Sequence, residues 1–284
     1  MRLISASEES AFTVRASESG IRKMMYDARE AAGVRNSVWI AAASAWILLI
    51  FEPRGLRIFA HCPITGAGLP SASLRMLVVM NPPWALVGGW AVMLVAMMSP
   101  VLISPLCHIW RRSFASRRAR LMAIFLAGYA AIWMAVGGLL IAVEFGVKSV
   151  ASSSYLPPAV VLLNAIVWQV SPIKQRCLNR CHSFGQLPAF GVTADFAALR
   201  FGVTQGTWCA GSCWALMLFP MLLPWGHVLG MMAASVLILS ERLEAPRTPS
   251  WRWRGFGKAM RILTAQARIR LQVRSATSPL YGAK

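Results

Sequence analysis

"WALVGGWAVMLVAMMSPVLISPL", residues 84–106, runs for 23 residues without a charged side chain. About 20 apolar residues in a helix cross the hydrocarbon core of a bilayer, so this stretch predicts a transmembrane helix and decides the fold class. A second run, 121–143, meets the same length. Shorter apolar runs lie at 37–51, 157–171, 206–222 and 226–240, the last two separated by Pro224, Trp225 and Gly226. The first of them, "SVWIAAASAWILLIF", is the weakest candidate, since an interfacial helix would read the same way. The expectation is an all-α, polytopic membrane helix bundle of about six transmembrane helices. Composition agrees: 57% of the 284 residues are hydrophobic and 14% are charged, against about 25% charged in a soluble domain.

The net charge of +19 raises nucleic acid as a partner, but the basic residues flank the apolar runs. There they read as topology signals and contacts to lipid headgroups, with no nucleic acid involved. "RRSFASRRAR", residues 111–120, holds five arginines and no acid. Lys174, Arg176, Arg180 and Arg200 follow the fourth run, and ten basic residues follow the sixth. The opposite loops are poorer in charge: 52–83 has three arginines and one glutamate, and 145–156 has only Lys148. The positive-inside rule then puts both termini in the cytoplasm, in agreement with an even number of spans. Residues 1–36 mix five acids with six bases and have no apolar core before Val38, so the expectation is an uncleaved insertion signal in the first span. The organisation expected is a cytoplasmic segment 1–36, a first helix and external loop 37–83, a membrane domain 84–243 and a basic cytoplasmic tail 244–284. That tail, "WRWRGFGKAMRILTAQARIRLQVR" at its centre, reads either as a helix on an anionic leaflet or as a disordered basic segment.

The chemistry lies in the thiols. Of six cysteines, only Cys62, beside His61, falls on the outer side of this topology. Cys107 ends the second run. Cys177 and Cys181 follow the fourth, and Cys209 and Cys213 open the fifth. Each of these two pairs is spaced by four residues, one helical turn, which puts both sulfurs on one face. Structural disulfides are rare in a reducing compartment, so the pairs read as metal-bound, redox-active or packed thiols. Lys174, Arg176 and Arg180 near the first pair favour the thiolate. Soft thiolates select Cu(I) or Zn(II).

A weaker stripe of sulfur continues the pattern, with Met217 and Met221 following Cys209 and Cys213 at the same interval. Met93, Met97 and Met98 lie in the second run, and thioethers also bind Cu(I). The ordinary alternative for each methionine is core packing. Gln169, Glu144 and Glu241 sit near span ends, where headgroups or water would satisfy them. No phosphate-binding loop, HExxH or Gly-x-Ser-x-Gly motif occurs, and no enzyme activity is expected.

Five stretches occur together in order: "WAVMLVAMMSP" (90–100), "GYAAIW" (128–133), "WQVSPIKQRCLNRC" (168–181), "GTWCAGSCW" (206–214) and "GMMAASVLILSER" (230–242). Over residues 84–243 the chain resembles a bacterial family of predicted metal-binding integral membrane proteins, domain of unknown function 2182. The resemblance carries over Trp90, Met93, Met97, Met98, Pro100, Gln169, Pro172, Lys174, Cys177, Cys181, Gly206, Cys209, Cys213, Trp214 and Glu241. It departs at His182, where a basic arginine-like residue is expected, and at the long tail.

The expected function is therefore an inner-membrane protein binding a soft metal ion, copper first and zinc second, for transport, delivery or homeostasis. The expected ligands are Cys177, Cys181, Cys209 and Cys213, with Met93, Met97, Met98 and His182 in support. A membrane thiol–disulfide oxidoreductase using the same pairs, or a non-enzymatic assembly partner, are the alternatives.

Overall fold

A computed structural model describes residues 32–51, 83–150, 156–223 (save 186, 189 and 190), 226–253 and scattered positions from 255 to 268. The expectations for residues 1–31, for the 52–82 loop with His61 and Cys62, and for the chain end lie outside the described residues. Among those described there are helices and no strands, as the apolar runs require of a chain that must satisfy its backbone within lipid.

Among the described residues up to 243, the helices are α1 (32–51), α2 (Pro83–Met98), α3 (Ile103–Arg112), α4 (Arg118–Val150), α5 (Leu156–Val170), α6 (Pro172–Arg180), α7 (Gly191–Leu222) and α8 (His227–Leu243). A 3-10 turn, Ser99–Leu102, joins α2 to α3. Pro100 has no N–H to offer the helical ladder, which explains the tightening there. α5 and α6 meet at a 65° bend. The Ser171 hydroxyl caps α6 by accepting from the Lys174 N–H at 3.1 Å, and Pro172 opens the helix, where its missing N–H costs nothing.

Among the described residues, three stretches are long and apolar enough to cross a membrane: Ala32–Phe51, Trp84–Arg112 and Ala115–Val147. The bent pair α5 and α6 would make a fourth. The six spans expected from sequence are thus not reached on length and composition. α8 has 17 residues. α7 has 32 but carries Asp195, Arg200, Gln205 and a series of small and polar residues along its length. The reason is packing. α7 is the hub of the bundle, against α4, α5, α6 and α8, so its sequence answers to neighbouring helices more than to lipid. α5 shows the opposite pattern, with Leu156, Val160, Leu163, Ile166 and Val167 exposed, as a lipid-facing surface would have them.

α7 also begins fifteen residues earlier than its apolar run, so Asp195 and Arg200 belong to the helix and not to a loop. Asp195 accepts from Arg120 at 2.7 Å, with Arg117 at 4.0 Å. The arginine-rich connection is thereby tied to α7. In the first half of α7 the buried residues are Ala194, Ala198, Gly202, Gln205 and Gly206, all but one of them small. A Cβ at Gly202 would come within 3.1 Å of the Tyr129 nitrogen, and one at Gly206 within 3.2 Å of the Tyr129 oxygen. Small residues let the two backbones touch, which is how helices associate where lipid competes with apolar side chains.

Candidate metal centre

Four turns of small residues on α7 give way to sulfur. Cys209, Cys213, Met217 and Met221 occupy the same buried seam, all at most 2% exposed. Met93, Met97 and Met98 of α2 and Met231 of α8 are equally buried and join the same core cluster. The sequence stripe is therefore an interior feature along its whole length.

α6 lies across the sulfur half of α7, and Cys177 and Cys181 are buried at that contact. Gly211 makes room for Cys177, whose Sγ would lie 3.1 Å from a Cβ placed there. Cys181 is the C-cap of α6, and its carbonyl accepts from Gln205 Nε2 of α7 at 3.2 Å. On α7, Cys209 Sγ accepts from the Tyr129 hydroxyl at 3.3 Å, while the Cys213 thiol donates to the Cys209 carbonyl at 3.0 Å. Trp168 Nε1 donates to the Gly211 carbonyl at 3.1 Å, with its ring against Trp214 at 5.5 Å. These contacts lock α5 and α6 onto α7 around the thiols. Cys177, Cys181, Cys209 and Cys213 form no disulfide among the described residues.

The charged partner of the thiols is one the sequence reading passed over. The guanidinium of Arg242, at the end of α8, faces the thiols of Cys181 and Cys209, with Cys213 close by. Its Nη2 lies 3.4 Å from Ser212 Oγ, and its Nε is buried without a hydrogen-bond partner among the described residues. Arg180, expected beside the thiols, instead lies over the Trp208 ring at 5.7 Å. Lys174 pairs with Glu241 at 2.9 Å while staying near Cys213. Gln169 completes that group, donating to Glu241 and accepting from Lys174. All three side chains are buried, so Gln169 and Glu241 do not rest in headgroups as their positions near span ends suggested. Glu144 is likewise fully buried.

His182 has a different place from the one expected. Its Nδ1 faces the Leu178 carbonyl at 2.9 Å and its Nε2 the Arg242 carbonyl at 3.1 Å. Both ring nitrogens face backbone carbonyls, of which a neutral ring donates to one, and the ring bridges the end of α6 to the end of α8. Two further polar residues of α6 hold the chain after α8. Gln175 donates to the carbonyls of Ser250 and Arg252, and Asn179 exchanges hydrogen bonds with the backbone of Arg247. Their four-residue spacing is the only sequence signal for that strap.

The four thiols do not assemble into one tetrahedral set. Among the described residues, no group of three or more His, Cys, Asp or Glu side chains is arranged to hold a metal ion. What the fold presents is smaller: two thiols from different elements, Cys181 and Cys209, meeting at a fixed cation within a sulfur-rich interior. Thiols and thioethers are donors for soft ions, and a pair suits an ion content with few ligands.

An all-helical bundle with membrane-length apolar helices and a buried sulfur centre is the class of protein this chain represents. The sequence profile of the PpoB2 family, described as a copper chaperone, matches residues 87–265. The chain belongs to that family. The match bears out the expectation of a metal-related family and directs it to copper; the label drawn from the motifs, domain of unknown function 2182, is not itself matched. No curated protein and no solved structure matches the chain.

Proposed function

We propose that this chain is a multi-pass inner-membrane protein, with both termini in the cytoplasm, that carries Cu(I) as cargo on Cys181 and Cys209. The observation that supports it is the meeting of these two thiols from α6 and α7 inside the stretch matched by a copper chaperone family. A zinc site would call for four ligands in a tetrahedron, and the described residues offer no such set. A six-span topology would need α7 and α8 to cross the membrane as well. Their polar and small residues are compatible with that where neighbouring helices cover them.

Cys177 and Cys213 stand one turn from the proposed ligands on their own helices. They are spare thiols through which the ion can be passed by ligand exchange. Met93, Met97 and Met98 provide thioethers that bind Cu(I) without losing a proton. An acceptor protein would take the ion by offering its own sulfur as one of the chain's thiolates lets go. His182 has a positioning role, since its ring bridges the ends of α6 and α8.

The test is to purify the protein without oxygen, load it with Cu(I), and count bound copper and reactive thiols in the parent and in Cys181→Ser and Cys209→Ser. The expected result is copper near one per chain in the parent and a large loss in either variant. Copper-free protein with a reversible bond between two cysteines would favour the oxidoreductase. Copper-free protein with inert thiols would leave only packing.

A further inference from the structure

Two cations end in the interior near the thiols, and only one of them has a carboxylate. Lys174 is neutralised by Glu241. Glu244, the next acid along the chain, is engaged with Arg247 at 3.6 Å and with the Lys258 backbone N–H at 2.8 Å. Among the described residues Arg242 has no carboxylate partner. Its neighbours are Cys181, Cys209 and Cys213 and the hydroxyl of Ser212.

We propose that Arg242 sets the charge of the cargo, fitting the thiol pair to a monovalent soft cation and against a divalent one. The proposal rests on the copper-binding reading given above. A guanidinium keeps its proton under all ordinary conditions, so Arg242 is a fixed single positive charge. When a soft ion binds, Cys181 and Cys209 hold it as thiolates, any thiol proton passing to water, a total of two negative charges. With Arg242, a monovalent ion brings the sum to zero. A divalent ion leaves one uncompensated positive charge in a buried, poorly solvated site, which is costly. The guanidinium Nε is buried without a hydrogen-bond partner among the described residues, and the thiols are the groups beside it that can carry negative charge. The guanidinium is positioned by the chain itself, through the Arg242 carbonyl on His182 Nε2 and the Ser212 hydroxyl.

Ag(I) and Cd(II) isolate the charge, since both are soft, redox-inert d10 ions. The experiment is competition between them on the purified, reduced full chain, read as bound metal per chain. The parent is expected to favour Ag(I). Arg242→Gln should move the Ag(I)-to-Cd(II) preference by about 100-fold toward Cd(II), the scale of removing one unit charge a few ångströms away, while Arg242→Lys should keep most of it. Should Arg242→Gln fail to fold, Ser212→Asp decides the matter. It retains the arginine but sets a carboxylate against it, and should shift the preference the same way. An unchanged ratio in a folded Arg242→Gln or Ser212→Asp protein overturns the proposal and leaves the copper reading intact. A parent that binds neither ion removes the copper reading, and this proposal with it.

Discussion

Glu241 and Arg242 are adjacent in sequence yet end in contrasting surroundings. Glu241 closes a group with Lys174 and Gln169 in which charge and hydrogen bonds are matched within the protein. Arg242 opens onto thiols, with one long contact to Ser212 and a buried Nε left over. The first group fastens α5, α6 and α8 together and is complete as it stands. The second has no carboxylate among the described residues, and sulfur is its source of negative charge. One residue step at the end of one helix thus separates the part of the bundle that holds it together from the part that can take a ligand.

The largest effect is expected from breaking the closed group. Glu241→Gln leaves Lys174 buried without its counter-ion and should cost about 3–5 kcal/mol. Thermal unfolding in detergent measures it. The double variant Lys174→Met with Glu241→Leu should recover most of that loss, because an apolar pair of similar volume avoids desolvation altogether. A double variant no more stable than Glu241→Gln would show that the group does more than balance charge.

A smaller loss follows from spoiling the close helix contact beside the thiols. Gly202→Leu pushes α7 off α4, since even a Cβ there meets the Phe125 and Tyr129 backbone. The expected cost is about 1–3 kcal/mol, together with faster labelling of Cys209 as the seam opens. Unfolding and thiol-labelling rates check the two parts. The smallest effect is expected at the open group. Tyr129→Phe removes one hydrogen bond to Cys209 and should cost about 0.5–1.5 kcal/mol by the same unfolding measurement, with copper still bound.

The sequence made the two kinds of region unequally legible. Apolar runs announced the helices at 84–106 and 121–143 because lipid demands a composition that is visible without a structure. Four-residue spacing placed the cysteine pairs and the methionine stripe each on one helix face, while their burial is set by the neighbouring helices. The start of α7 at Gly191 was hidden because Asp195 and Arg200 look like loop charges until Arg120 is seen to pair with the first of them. Arg242 was hidden for a related reason. A cation at the end of an apolar helix reads as a topology signal, and nothing local says that it turns inward to sulfur. Lys174 and Arg180 showed the converse: they stand next to the thiols in sequence, but their partners are Glu241 and Trp208. Whether the two pairs come together was not legible, because each pair shares a face of its own helix while the distance between the pairs depends on how α6 crosses α7.

X-ray absorption at the copper edge of the Cu(I)-loaded protein tests the central claim most directly. The account predicts a shell of sulfur alone, unchanged by His182→Gln and disrupted by Cys209→Ser. A shell containing nitrogen, or a sulfur shell indifferent to Cys209→Ser, would contradict it.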